Sequence, residues 1–110
     1  MKGSVPYWAR LSACLLLFPA LAHADDYLIT LKDNQFAPKE LVVPAGRRIK
    51  ITVKNQDPTP AEFESSDLDR EKVVTGNSAI TVFIGPLDAG RYAYFDDFHR
   101  NTTTGAIIAK

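Results

Sequence analysis

From Arg47 to Asn55 apolar and polar residues alternate, with Ile49, Ile51 and Val53 on one side and Arg48, Lys50, Thr52 and Lys54 on the other. Alternation at period two predicts a strand with one face buried and one in water. The pattern recurs along the chain. Tyr27, Ile29 and Leu31 share a face over 27–31, and Ile80, Val82 and Ile84 share one over 79–84. Phe36 to Val43 is another extended stretch, in which Pro38 confines any pairing to an edge or a bend. Residues 61–64, 72–74, 91–95 and 105–109 complete the predicted strands. Turn chemistry separates them at Pro44-Ala45-Gly46, at Gln56 to Pro60, at Thr75-Gly76-Asn77-Ser78 and at Gly85 to Gly90. Ser65 to Glu71 is polar, and one helical turn capped by Ser66 or Asp67 is expected there. Short strands punctuated in this way predict a single all-β sandwich of about seven or eight strands.

The first 24 residues follow a different rule. Lys2 and Arg10 precede an apolar run from Leu11 to Leu21, and Ala22-His23-Ala24 supplies a small-x-small cleavage pattern. This is the layout of a secretory signal peptide, too short for a spanning helix, so a mature domain over 25–110 is expected. Its removal takes Cys14, Met1, Trp8 and His23 with it, leaving a chain without sulfur that no disulfide can staple. Loss of Lys2 and Arg10 leaves eleven basic against thirteen acidic residues, a net charge near −2. No basic patch survives, which argues against nucleic acid. Nothing indicates a small organic substrate: there is no nucleophile set beside a base and no glycine-rich phosphate loop.

The chemistry is concentrated in the run Arg91 to Gly105, where an aromatic strand leads into Asp96, Asp97, Phe98 and His99, then a threonine-rich turn. A strand that delivers acids and an imidazole into a loop is a natural way to hold a metal, because the sheet fixes the spacing of the ligands. Asp96 and Asp97 are neighbours on an extended segment and point to opposite faces, so one of the two is expected to serve. Glu62 and Glu64 share a face at period two, and two carboxylates that close repel unless a cation lies between them. Against this stand plainer readings. His99 could be a loop histidine bonded to a backbone carbonyl. The aspartates could be a solvated turn, and the glutamates could pair with Arg70, Lys72 or Arg100, as Glu71 is expected to do.

Phe36-Ala37-Pro38, Leu41 to Gly46 and the strand ending at Asn55 resemble the opening of a cupredoxin. Glu62-Phe63-Glu64-Ser65, Leu68, Glu71-Lys72, Gly85-Pro86-Leu87, Gly90-x-Tyr92, Phe95 and Asp97-Phe98-His99 resemble the small cupredoxin-like domains of bacterial periplasmic iron-uptake systems. The resemblance implies a cupredoxin-like Greek-key β-sandwich in the periplasm that binds copper or iron and works beside a membrane iron permease. It also implies a departure. Blue-copper sites use two histidines, a cysteine thiolate and a weak axial ligand, usually methionine. Laid on this chain, His99 takes a histidine position, Asp96 falls where the thiolate would be, Thr103 or Thr104 falls near the methionine, and Glu62 replaces the upstream histidine.

The resulting ligand set is Glu62, Asp96, Asp97 and His99, with Glu64 and Glu71 as further candidates. Oxygen ligands with one nitrogen suit iron, manganese or Cu(II) and disfavour Cu(I). The sequence therefore points to a metal-binding accessory protein that assists oxidation or delivery of ferrous iron to a permease. The competing expectations are a metal-free interaction module that docks onto a transporter, and a stand-alone ferroxidase. The last ranks below the accessory role, because one small site offers no evident electron acceptor.

Overall fold

The computed structural model describes residues 24–110; the expected signal peptide lies, all but its last residue, outside them. Alternating burial makes nine strands: β1 Asp25–Lys32, β2 Gln35–Ala37, β3 Glu40–Val43, β4 Ile49–Asn55, β5 Ala61–Ser65, β6 Arg70–Val74, β7 Ser78–Ile84, β8 Gly90–Asp96 and β9 Thr104–Ala109. One 3-10 turn, Asp97–His99, links β8 towards β9. The strands form a four-stranded sheet ordered β2-β1-β4-β7 and a five-stranded sheet ordered β3-β9-β8-β5-β6. Both sheets are mixed, with β1 parallel to β4 and β3 parallel to β9.

The expected sandwich is present, and it has more strands than the periodicity indicates. The stretch from Phe36 to Val43 divides around Pro38 into β2 and β3, which belong to opposite sheets. A proline offers no N–H to a ladder, so the chain crosses from one sheet to the other there. Ser65 to Glu71 holds no helical turn: residues 66–69 form the turn of the β5–β6 hairpin, with Asp69 at a φ of 54°. Ser65 explains the choice. Its hydroxyl accepts from the Leu68 N–H at 3.1 Å and donates to the Ala93 carbonyl at 2.6 Å, fixing the hairpin against β8.

The two inner faces meet in one core. Ile29, Leu31, Ile49, Ile51 and Val53 from the four-stranded sheet face Phe63, Val74, Tyr94 and Ile107 from the other. The Tyr94 ring stands edge-on to Phe36, with ring centres 5.0 Å apart, and lies tilted against Phe63 at 4.9 Å. Gly105 is required beside it, because a Cβ there would come within 2.5 Å of the Tyr94 ring.

Buried polar residues hold the loops at one end. Asn55 donates to the carbonyls of Thr59, Val74 and Thr75 at 2.8, 3.3 and 3.3 Å and accepts from the Asp57 N–H. The Asp57 carboxylate in turn accepts the N–H groups of Asp33 and Asn34 at 2.7 and 3.0 Å. Both residues have positive φ, as a two-residue hairpin turn requires. On the opposite flank the edge strands β6 and β7 lie side by side without a backbone ladder. Arg70 donates to the Phe83 carbonyl at 3.0 Å and Lys72 to the Thr81 carbonyl at 3.4 Å.

Candidate metal centre

The register of β5 against β8 builds the site. Phe63 lies opposite Asp96 and Glu64 opposite Phe95. Inward residues of β5 are therefore Ala61, Phe63 and Ser65, all buried, and Glu62 and Glu64 stand on the outer face of the five-stranded sheet. Asp97, one residue beyond β8, joins them on that face. Carboxylate oxygens of Glu62, Glu64 and Asp97 lie within 4.8 Å of one another, and all three residues are half-buried. Glu71 faces Glu64 across the β5–β6 ladder, and Val73 faces Glu62.

The electrostatics of the cluster follow from this crowding. Loss of hydration raises the Glu62 carboxyl above its ordinary range, helped by a hydrogen bond to Asp97 and by the charges of Glu71, Asp97 and Glu64. Glu64 rises for the same leading reason, with a hydrogen bond to Glu71 and the charges of Asp97 and Glu71 adding to it. Asp97 moves the other way. Arg100 donates its Nε–H to Asp97 Oδ1 at 3.0 Å, and that bond holds the carboxyl below its ordinary range. The Arg100 guanidinium is itself seated 4.7 Å above the Phe95 ring. Sequence reasoning named Arg100 only as a possible partner of the glutamates; its spacing of three from Asp97 is the signal that places it on Asp97 instead.

Asp96 has a different environment from its neighbour. It faces inward and is 1% exposed. Its Oδ1 accepts the N–H groups of Glu62 at 2.9 Å and Phe98 at 3.0 Å, and its Oδ2 lies 2.9 Å from Nδ1 of His99. The Asp96 N–H donates to the Thr103 carbonyl, and the buried Thr103 hydroxyl donates to the Asn34 carbonyl at 2.8 Å. The His99 side chain is 38% exposed. The structure thus sorts the candidates into two groups: Glu62, Glu64 and Asp97, flanked by Glu71, on the outer face, and Asp96 with His99 at the end of the sandwich.

A blue-copper ligand set does not fit these residues. The described residues contain neither cysteine nor methionine. Asp96, at the thiolate position, is sealed and occupied by hydrogen bonds; Thr103 spends its hydroxyl on a backbone carbonyl; the inward residue at the head of β5 is Ala61, which has no donor atom. What the arrangement offers is a hard, anionic, half-exposed patch with one imidazole nearby.

A sandwich of nine strands in two mixed sheets is the architecture of a cupredoxin. Residues 8–109 match the cupredoxin-like domain family, and the chain belongs to that family. It is 44% identical over 80 residues to an uncharacterized protein of Rickettsia prowazekii (strain Madrid E), covering 73% of this chain and 64% of that relative's length. Among solved structures it is similar to auracyanin A, a "blue" copper protein of Chloroflexus aurantiacus, with a TM-score of 0.70 and 17% identity, over 80% of this chain and 100% of the other. It is similar to the amicyanin of Paracoccus versutus, with a TM-score of 0.62 and 19% identity over 81% and 85% of the two chains. A purple cupredoxin of Nitrosopumilus maritimus gives a TM-score of 0.62 and 19% identity over 77% and 100%. At these identities the likeness establishes the fold.

Proposed function

We propose that this chain is a metal-binding accessory protein of the cupredoxin fold, exported to the periplasm, which holds iron or Cu(II) and passes iron to a membrane permease. The observation that carries this reading is the convergence of Glu62, Glu64 and Asp97, whose oxygens lie within 4.8 Å of one another. Three carboxylates at that spacing repel, and a cation among them removes the repulsion and restores the coordination lost with hydration. Oxygen donors match a hard or borderline cation, and His99, three residues along the chain from Asp96, offers a separate nitrogen donor at the end of the sandwich. Anionic oxygens favour Fe(III) over Fe(II), so ferrous iron held here is easier to oxidise. Arg100 is the counter-ion of the metal-free state and partly neutralises Asp97.

Titration calorimetry of the purified protein with Cu(II) and, anaerobically, with Fe(II) tests the reading. One-to-one binding that is lost in Glu62→Gln and in Asp97→Asn is expected. Unchanged binding in both variants, or no binding of either ion, would remove the site.

A second reading keeps the location and drops the metal. Val73 is 47% exposed beside Glu62 and Phe98 is 50% exposed beside Asp97, so apolar surface borders the acids. Such a patch suits docking onto a transporter. Partner binding that survives Glu62→Gln and is lost in Phe98→Ser distinguishes it.

A further inference from the structure

Asp96 stands where a cupredoxin presents its thiolate, yet its surroundings are those of a structural group. At 1% exposure the carboxylate has no open side through which a cation can reach it. Both oxygens are committed, Oδ1 to two backbone N–H groups and Oδ2 to the His99 ring. The backbone bonds tie Asp96 simultaneously to the head of β5 and to the 3-10 turn, so the carboxylate is fixed before it meets the imidazole. A carboxylate held this way can only accept, and the ring nitrogen facing it must therefore carry the proton. Nδ1 is then the N–H of His99 and Nε2 is its lone-pair nitrogen. With the side chain 38% exposed, Nε2 is the nitrogen left available.

We infer that Asp96 is a positioning residue and not a ligand: it locks His99 in the Nδ1–H tautomer and leaves Nε2 as the ring's nitrogen donor at the end of the sandwich. This deepens the metal-binding reading above and rests on it for the donor role, although not for the tautomer. The arrangement is that of a ligating histidine whose second nitrogen is bonded to a carboxylate, which raises its basicity and fixes the ring plane. It also accounts for the absence of an imidazole or sulfur donor on β5. The buried carboxylate at the end of β8 accepts the Glu62 N–H instead of facing a metal, and the inward residue opposite it is Phe63, a packing residue.

The test is long-range 1H–15N spectroscopy of the His99 ring with the imidazole neutral, first metal-free and then with Zn(II) as a diamagnetic probe. The metal-free protein is expected to show Nδ1 protonated, and Zn(II) is expected to move the Nε2 resonance while Nδ1 keeps its proton. A metal-free ring protonated on Nε2 overturns the inference. Zn(II) binding that moves neither ring nitrogen, or moves Nδ1, overturns the donor assignment. Absence of any Zn(II), Cu(II) or Fe(II) binding overturns the proposed function and the donor role with it, while the metal-free tautomer still reads the Asp96–His99 lock. In Asp96→Asn the amide oxygen keeps the backbone bonds and the amide N–H2 faces Nδ1, so the ring switches to the Nε2–H tautomer. That variant is expected to fold and to lose about 10- to 100-fold in metal affinity. Unchanged affinity with a switched tautomer overturns the proposal.

Discussion

Asp96 and Asp97 are adjacent in the chain and occupy two different chemical worlds. On the inner side of the sheet, Asp96 sits at the end of a packed layer that includes Tyr94 and Phe63, and every one of its contacts is a hydrogen bond within the fold. On the outer side, Asp97 meets Glu62 and Glu64 in a half-exposed patch with Arg100 as its only cationic bond partner among the described residues. The first group specifies the geometry of the loop, because removing it leaves buried donors without acceptors. The second group is poorly satisfied by the protein alone. Negative charge left crowded and partly dehydrated is the feature on which the proposed cation site rests.

The comparison breaks most severely at the packed layer. Phe63→Ala is expected to cost about 3–5 kcal/mol, because it opens a cavity beneath Tyr94, and urea unfolding measures it. Asp96→Ala strands the N–H groups of Glu62 and Phe98 and is expected to cost about 2–4 kcal/mol in the same assay. An equally large loss in Asp97→Ala would erase the distinction between the two sides.

On the outer face the effects are on binding. Glu62 and Glu64 have raised carboxyls and must ionise to bind a cation, whereas Asp97 is ionised first. Affinity should therefore climb with pH, by about tenfold per unit for each carboxyl still protonated, and level off once both glutamates are ionised. The signs for stability follow separately. A carboxyl raised in the folded state stabilises below its unfolded value and loses that contribution as pH rises through the folded one. Asp97, lowered, contributes above its unfolded value and loses that as pH falls. The double variant Glu62→Gln/Glu64→Gln should flatten the rising affinity curve and remove the decline in metal-free stability on the alkaline side of the carboxylate range.

Arg100→Ala removes a competing cation hydrogen-bonded to Asp97, and calorimetry should show metal binding about fivefold tighter. Weaker binding would mean that Arg100 orients Asp97 more than it competes. The smallest effect belongs to Tyr94. Its hydroxyl is buried with no hydrogen-bond partner, and burial lifts the phenol above its ordinary range. Tyr94→Phe should change stability by less than about 1 kcal/mol, in the stabilising direction, in thermal melts.

Much of this could be read in the chain because strands carry their own period. Ile49, Ile51 and Val53 announce β4 with no knowledge of any partner, and the same period puts Glu62 with Glu64 and separates Asp96 from Asp97. What local pattern cannot convey is register across the sheet. That Phe63 pairs with Asp96 decides which acids meet, and it depends on residues 33 positions apart. The resemblance placed Glu62 at the upstream histidine position; the register puts Ala61 inward and Glu62 out. Buried polar residues were hidden for the same reason. Asn55 looks like an ordinary strand end and Thr103 like an ordinary loop residue until the carbonyls they serve are brought beside them by chain segments far away.

The seam where Arg70 and Lys72 reach the carbonyls of Phe83 and Thr81 has a consequence for life at high concentration. An open strand edge invites a neighbouring molecule to extend the sheet, and repetition of that step leads to fibres. Here the invitation is withdrawn from within: two acceptors on the rim of β7 are already taken, and two positive charges lie along the route by which a foreign strand would approach. On this flank a small domain with no disulfide among its described residues can in this way sit in a crowded space without offering β7 as a template for its own copies.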